Sequence, residues 1–112
     1  MSQPQDNDDD RATELVARAL TEYAKRPSPE DVARLVDMLL TRGQDIHDIV
    51  AARPRQDLTA GASDALYEWE YFSRVGPLGS GPHANWNHCR ALARIVKRLM
   101  HMAHAHTTAN AP

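Results

Sequence analysis

The stretch NWNHCRALARIVKRLMHMAHAH, residues 85–106, decides the fold class of this 112-residue chain. Alternating steps of four and three residues separate its seam positions, which are Asn85, Cys89, Leu92, Val96, Leu99 and Ala103. This spacing is typical of an α-helix that packs nearly parallel or antiparallel to a neighbour. The stretch therefore predicts one helix of a helical bundle.

Three further segments with helical periodicity precede this stretch, and no alternating strand pattern accompanies them. We predict a bundle over residues 10–106, flanked by a disordered acidic arm at 1–9 and a disordered tail at 107–112. The predicted helices span about residues 10–26, 29–53, 59–75 and 82–104.

Local signals mark where the helices begin. Ser28, Pro29 and Asp31 supply an N-cap, a proline at the first helical position and an acid at the third. Asp10 is a candidate N-cap for the first helix. Gly43 lies inside the second helix, where glycine costs about 1 kcal/mol relative to alanine. It predicts either a bend or the close approach of a neighbouring helix.

The second and fourth helices have apolar surfaces wider than the stripe of about 100° that a surface helix needs. Met38 and Ile49 widen the arc of the second helix, and Ile95 and Met102 widen that of the fourth. Each helix is therefore expected to lie centrally in the bundle or to bury a second face in a partner. With short connections, the predicted fold is all-α, an antiparallel up-and-down four-helix bundle that dimerises.

Charge and cysteine content narrow the class of protein. The formal net charge is −2, so no strong overall field attracts nucleic acid or an anionic membrane. The single cysteine excludes an intrachain disulfide and suits a reducing compartment. The acidic N-terminus differs from a signal peptide, and no run of about 18 apolar residues predicts a membrane span. We expect a cytoplasmic protein.

Aromatic residues of the third helix are candidates for partner binding. Tyr67 and Tyr71 lie one turn apart, on the side away from Leu66 and Phe72, and exposed aromatic pairs favour interfaces. The alternative is that they pack on the loop VGPLGSGP or on Trp86. The expected partner is a second copy of the chain or a larger protein. The predicted partner-binding residues are Tyr67, Tyr71, Ile49, Ile95 and Met102.

A basic stripe on the fourth helix predicts contact with phosphate, nucleic acid or an acidic protein segment. Two alternatives stay open: a solvated outer face, or a surface on which the acidic arm Asp6, Asp8, Asp9 and Asp10 folds back. A nucleic-acid-associated or transcriptional regulator is therefore the first alternative function. The stripe consists of Arg90, Arg94, Lys97 and Arg98.

The C-terminal histidines and the cysteine predict no metal site. His101 and His104 lie one turn apart, but Cys89 is more than three turns from His101, and the cations beside the histidines disfavour a divalent metal. Cys89 lies on the seam, which predicts a small buried apolar side chain. We assign no metal ligand, no cofactor and no catalytic residue.

A small helical enzyme is the second alternative. Its pocket would lie between helices and use His47 or His88 with a tyrosine. The evidence is weak, because His88 and Cys89 point about 100° apart on a helix and so form no dyad. His47 has only Asp45 and Asp48 beside it in sequence.

Two blocks of the sequence resemble a known family. LLTRGQDIHDIV at residues 39–50, followed by Arg53-Pro54, is similar to the second helix of small actinomycete proteins of a domain-of-unknown-function family. GPHANWNHCRALARIVKRLMHMAH at residues 81–104 resembles their glycine-rich loop and following helix. The resemblance, over roughly residues 11–104, implies a four-helix cytoplasmic bacterial domain. Because such proteins are often labelled natural-product-biosynthesis proteins, it also implies an accessory role in secondary metabolism. It assigns no catalytic residue.

Together these observations favour a non-enzymatic, all-helical protein that acts by binding another protein. The apolar faces and the two tyrosines would be buried against the partner, and the basic stripe would orient the encounter.

Overall fold

The computed structural model describes the backbone of residues 4–109 and the side chains of residues 10–104. Within this part of the chain, four α-helices and two short 3-10 helices form, and there is no β-strand. The α-helices are α1 (Pro4–Ala19), α2 (Pro29–Ala51), α3 (Ala60–Val75) and α4 (Pro82–Ala109), and the 3-10 helices are Tyr23–Lys25 and Arg55–Asp57. The prediction of an all-helical chain with four helices is confirmed.

The first helix differs from its predicted bounds at both ends. It begins at Pro4 rather than Asp10, so residues 4–9 are helical where a disordered arm was predicted. A proline is well tolerated at a first helical position, which allows this early start. The helix ends at Ala19 rather than Arg26. Close to this end, the carbonyl of Thr21 accepts a hydrogen bond from the Arg90 guanidinium at 2.7 Å.

The fourth helix continues to Ala109, past the predicted end at residue 104 and into the segment predicted as a disordered tail. Residues 1–3 and 110–112 lie outside the described part of the chain.

The capping residues of α2 and α3 act as their sequences suggest. The Ser28 hydroxyl accepts a hydrogen bond from the backbone N–H of Asp31 at 3.3 Å. The Thr59 hydroxyl accepts one from the N–H of Ala62 at 3.0 Å. Each bond satisfies an amide that the first turn of a helix leaves without an intrahelical partner. The starts of these two helices are therefore set locally.

Helices α2 and α4 form the centre of the molecule. Each contacts all three other helices, whereas α1 and α3 do not contact each other over the described residues. Residues from all four helices build one apolar core, with Trp69, Trp86, Leu35, Leu39, Leu92 and Leu99 among its largest buried side chains. The wide apolar arc of α4 is thus covered by the chain's own helices.

Gly43 of α2 packs directly against the indole ring of Trp69 of α3. A Cβ atom there would lie 2.6 Å from Cζ3 of Trp69, far inside van der Waals contact. Helix α2 is continuous through this position. The glycine therefore makes room for a side chain of the neighbouring helix, and α2 shows no break at this position. None of the described helices combines the length and apolar character needed to cross a membrane.

Candidate functional site

The outer face of α3 carries the most conspicuous exposed apolar surface. Tyr67 is 71% exposed, Tyr71 49% and Val75 48%. These residues are spaced four apart, so they form one row along the helix. Leu78, 79% exposed, follows just beyond the helix end. We call Tyr67, Tyr71 and Val75 the α3 row.

The two tyrosines are not packed as the alternative interpretation suggested. Trp86 is 2% exposed and belongs to the core. The ring of Tyr71 instead meets that of Phe72 edge to face, with centroids 5.4 Å apart. Tyr67 is mostly exposed, so the loop that follows α3 does not cover it. The side chains are open to a partner.

The other predicted partner-binding residues do not join the α3 row. Ile49 is on α2 and 53% exposed. Met102, on α4, is half-buried and packs against the core. Ile95 is only 3% exposed and belongs to the core cluster. Its assignment to a partner surface is corrected, because the central position of α4 already accounts for its apolar surroundings.

The four cations of the basic stripe do not form one open patch. Arg90 is half-buried, donates to the Thr21 carbonyl at 2.7 Å and lies over the Trp86 ring at 5.6 Å. Arg98 forms an ion pair with Glu68 of α3. Arg94 and Lys97 remain exposed and have no hydrogen bond or ion pair with the described residues. Two of the four cations therefore hold helices together.

The alternative in which the acidic arm covers these cations depends mainly on side chains outside the described residues. The side chains of Asp6, Asp8 and Asp9 lie outside the described residues, and Asp10 is exposed.

A polar network between α2 and α3 surrounds His47, which is 7% exposed. Its Nδ1 lies 3.0 Å from Oδ1 of Asp48, and its Nε2 lies 3.2 Å from Oε1 of Glu70. Gln44 donates to Asp48 at 2.9 Å and accepts from the Trp69 indole N–H at 3.0 Å. Each of these polar side chains thus lies within hydrogen-bond distance of a partner across or along the two helices.

This network shifts the pKa of one of its carboxyl groups. Hydrogen bonds from His47 and then Gln44 hold the pKa of Asp48 below its ordinary value, because they stabilise the carboxylate. A histidine between two carboxylates resembles the orientation of a general base. The groove beside Arg53 and Met102, described below, is however lined by residues other than His47. The network therefore serves first to join α2 to α3.

His88 and Cys89 are both buried on α4. Burial lowers the pKa of His88, since the imidazolium is poorly solvated there. Burial also raises the pKa of the Cys89 thiol to about 11, against the smaller opposing effects of Arg90 and Arg18. A thiol with this pKa is a weak nucleophile at neutral pH. The prediction that Cys89 is a small buried apolar side chain is confirmed.

His101 and His104 are exposed near the end of α4. Among residues 10–104, no three histidine, cysteine, aspartate or glutamate side chains gather in a metal-binding arrangement. The side chain of His106 lies outside the described residues.

Sequence reasoning missed the roles of Gln44, Glu70 and Arg53. Gln44 and Glu70 pair with residues more than twenty positions away, which helical periodicity does not reveal. Arg53 donates to the carbonyls of Met102 and Ala103, at 3.0 and 3.2 Å. The only local signal for this network in the sequence was the spacing of Gln44, His47 and Asp48, which places them within about one turn of α2.

Comparison with known proteins identifies a family but no function. No curated protein and no solved structure matches the chain. The model of one family matches residues 10–108, most of the chain and nearly all of the described helices. The chain therefore belongs to the Family of unknown function (DUF6415).

Proposed function

We propose that this protein is a non-enzymatic interaction module that pairs with a second copy of itself through the α3 row. The observation that carries the proposal is the uninterrupted exposure of Tyr67, Tyr71 and Val75. Tyrosine is enriched in the centres of protein interfaces, where its ring adds contact area at a small entropic cost.

The α3 row is self-complementary about a two-fold axis at Tyr71. Antiparallel pairing there sets Tyr71 against Tyr71 of the second copy and Tyr67 against Val75 of the second copy. A closed two-fold interface uses one patch on both subunits in this way.

Charges beside the row support the same arrangement. Glu70 and Arg74 lie next to the tyrosines, and Arg74 is exposed with no ion pair to the described residues. In the two-fold arrangement, Arg74 of one copy approaches Glu70 of the second copy. The Glu70 side chain is 53% exposed, so it can accept this second contact while holding His47.

The bundle topology that presents α3 is, in this proposal, antiparallel and up-and-down. Several contacts support it. Arg53, just after α2, bonds to Met102 and Ala103 near the end of α4. Arg90, near the start of α4, bonds to Thr21 just after α1. These pairs fit a bundle in which α2 and α4 run in the same direction, and α1 and α3 run in the opposite direction.

The cytoplasmic, actinomycete setting and the accessory role in secondary metabolism belong to the same proposal, and the sequence resemblance is what supports them. A regulator that binds nucleic acid is the weaker candidate, because Arg90 and Arg98 are engaged within the chain. An enzyme is weaker still, since no described groove is lined by His47 or His88.

Sedimentation equilibrium tests the proposal. We expect a dimer at micromolar concentration and a monomer in Tyr71→Glu, because that change places two carboxylates together on the two-fold axis. Ile49→Glu is the control, an equally exposed residue outside the row that should stay dimeric. Circular dichroism checks that both variants keep their helices.

Three results would overturn the proposal. They are a monomeric parent protein at high micromolar concentration, a Tyr71→Glu variant that stays dimeric, and dissociation by Ile49→Glu alone. Salt-sensitive DNA binding that is lost on charge reversal of Arg94 and Arg98 would favour the regulator instead.

A further inference from the structure

We propose that the protein also binds a small amphipathic anion, a monoanionic head on a short apolar chain, in a groove separate from the α3 row. The groove forms where the end of α2, the start of α3 and the last turns of α4 meet. Its volume is about 510 Å³. Ligand sites of about 300–1,000 Å³ are common in proteins.

The floor of the groove is apolar. Leu58 and Met102 are half-buried and pack against the core, and Ala62 is 5% exposed. An alkyl chain or small ring placed here would leave water and cover these side chains. Each methylene buried in this way contributes about 0.8 kcal/mol.

The charge of Arg53 gives the groove its preference for an anion. Its guanidinium is half-buried and donates to two neutral acceptors, the carbonyls of Met102 and Ala103. No carboxylate of the described residues lies within ion-pair distance of it. A partly buried cation without a counter-charge favours an anionic ligand.

The rim adds a second cation and one acid. Arg98 and His101 lie at the rim, with Arg98 already paired to Glu68. Asp57 is the one carboxylate among the lining residues. Because Glu68 already pairs with Arg98, the charge that the groove offers to a ligand is that of Arg53. A single guanidinium suits a carboxylate or sulfonate of single charge.

Titration followed by ¹H–¹⁵N NMR tests the proposal with hexanoate, hexan-1-ol and hexylammonium as probes. Hexanoate is expected to shift the amide signals of Leu58 and Ala62, with a Kd on the order of 1 mM for so small a ligand. The alcohol should bind more weakly, and the ammonium about fivefold or more weakly than hexanoate. Signals of the α3 row should stay in place.

Variants separate the groove from general charge effects. Arg53→Met should weaken hexanoate binding about fivefold, whereas Arg94→Gln, an exposed cation of α4 outside the groove, should not. If Arg53→Met fails to fold, Arg53→Gln, which keeps a hydrogen-bond donor but removes the charge, decides. Equal binding of hexylammonium, an equal loss in Arg94→Gln, or unmoved Leu58 and Ala62 signals would overturn the proposal.

Discussion

The indole ring of Trp69 fills the space that a side chain at Gly43 would need. A Cβ atom at that position would lie 2.6 Å from Cζ3 and 2.7 Å from Cζ2 of the ring. Trp69 is fully buried, so its ring cannot move aside without displacing other core side chains. We expect Gly43→Ala to lower the free energy of unfolding by about 1–3 kcal/mol, the usual cost of overpacking, as measured by urea denaturation.

Gly61→Ala is the control for this experiment. It makes the same chemical change in a helix, but the nearest side-chain atom to its new Cβ would be Cε of Met102 at 3.8 Å, an ordinary contact. This variant should be neutral or more stable by up to about 1 kcal/mol, because alanine favours the helix. Similar losses in both variants would argue against the tight packing of Trp69 on Gly43.

Much of this fold could be predicted from short-range signals. Ser28 and Thr59 cap their helices through hydrogen bonds to amides three residues on, so local sequence suffices. The seam of α4 likewise follows from spacing alone. The start of α1 at Pro4 was missed, because composition suggested disorder where the chain is helical.

The partners of the side chains were harder to predict. Ile95 was assigned to a partner surface because a helical wheel shows how wide an apolar arc is, but not how many neighbours cover it. The contact of His47 with Glu70 joins residues on two helices and depends on their rotation about each other. The sequence left open whether Tyr67 and Tyr71 are exposed or packed on the chain, and the structure leaves both of them exposed.

The thiol of Cys89 should be protected from alkylation in the native protein. The side chain is fully buried, and the pKa of about 11 leaves about one thiol in a thousand ionised at pH 8. Iodoacetamide labelling followed by mass spectrometry should therefore be slow in buffer and fast in concentrated urea. Rapid labelling without denaturant would mean that α4 opens readily around Cys89.

Arg90 should contribute more to stability than its neighbour Arg94. Arg90 donates to the Thr21 carbonyl and covers the Trp86 ring, whereas Arg94 is exposed. We expect Arg90→Ala to cost about 1–3 kcal/mol in unfolding free energy, and Arg94→Ala to change it by no more than about 0.5 kcal/mol. Equal effects of the two substitutions in urea denaturation would contradict the role assigned to Arg90.

The burial of His88 should make the protein less stable in mild acid. Its pKa is lowered in the folded state, so below about pH 6.5 the unfolded chain takes up a proton that the folded chain resists. Stability should fall as the pH drops from that value to the lowered pKa of the folded state. His88→Gln should reduce the loss of unfolding free energy between about pH 7.5 and about pH 5.5, measured by urea denaturation at both values. If the variant loses as much stability over this range as the parent protein, His88 is not the cause.

Gln44 should be required to satisfy the buried indole of Trp69. The indole N–H of this fully buried side chain donates to Oε1 of Gln44 at 3.0 Å. Gln44→Leu leaves that donor without its partner, and we expect a loss of about 1–3 kcal/mol in unfolding free energy. The indole proton should also exchange faster with solvent, which NMR can follow. Gln56→Leu, at an exposed position in the second 3-10 helix, is the control and should leave both measurements unchanged. If Gln44→Leu matches this control in stability and in indole exchange, the hydrogen bond does not hold α3 to α2.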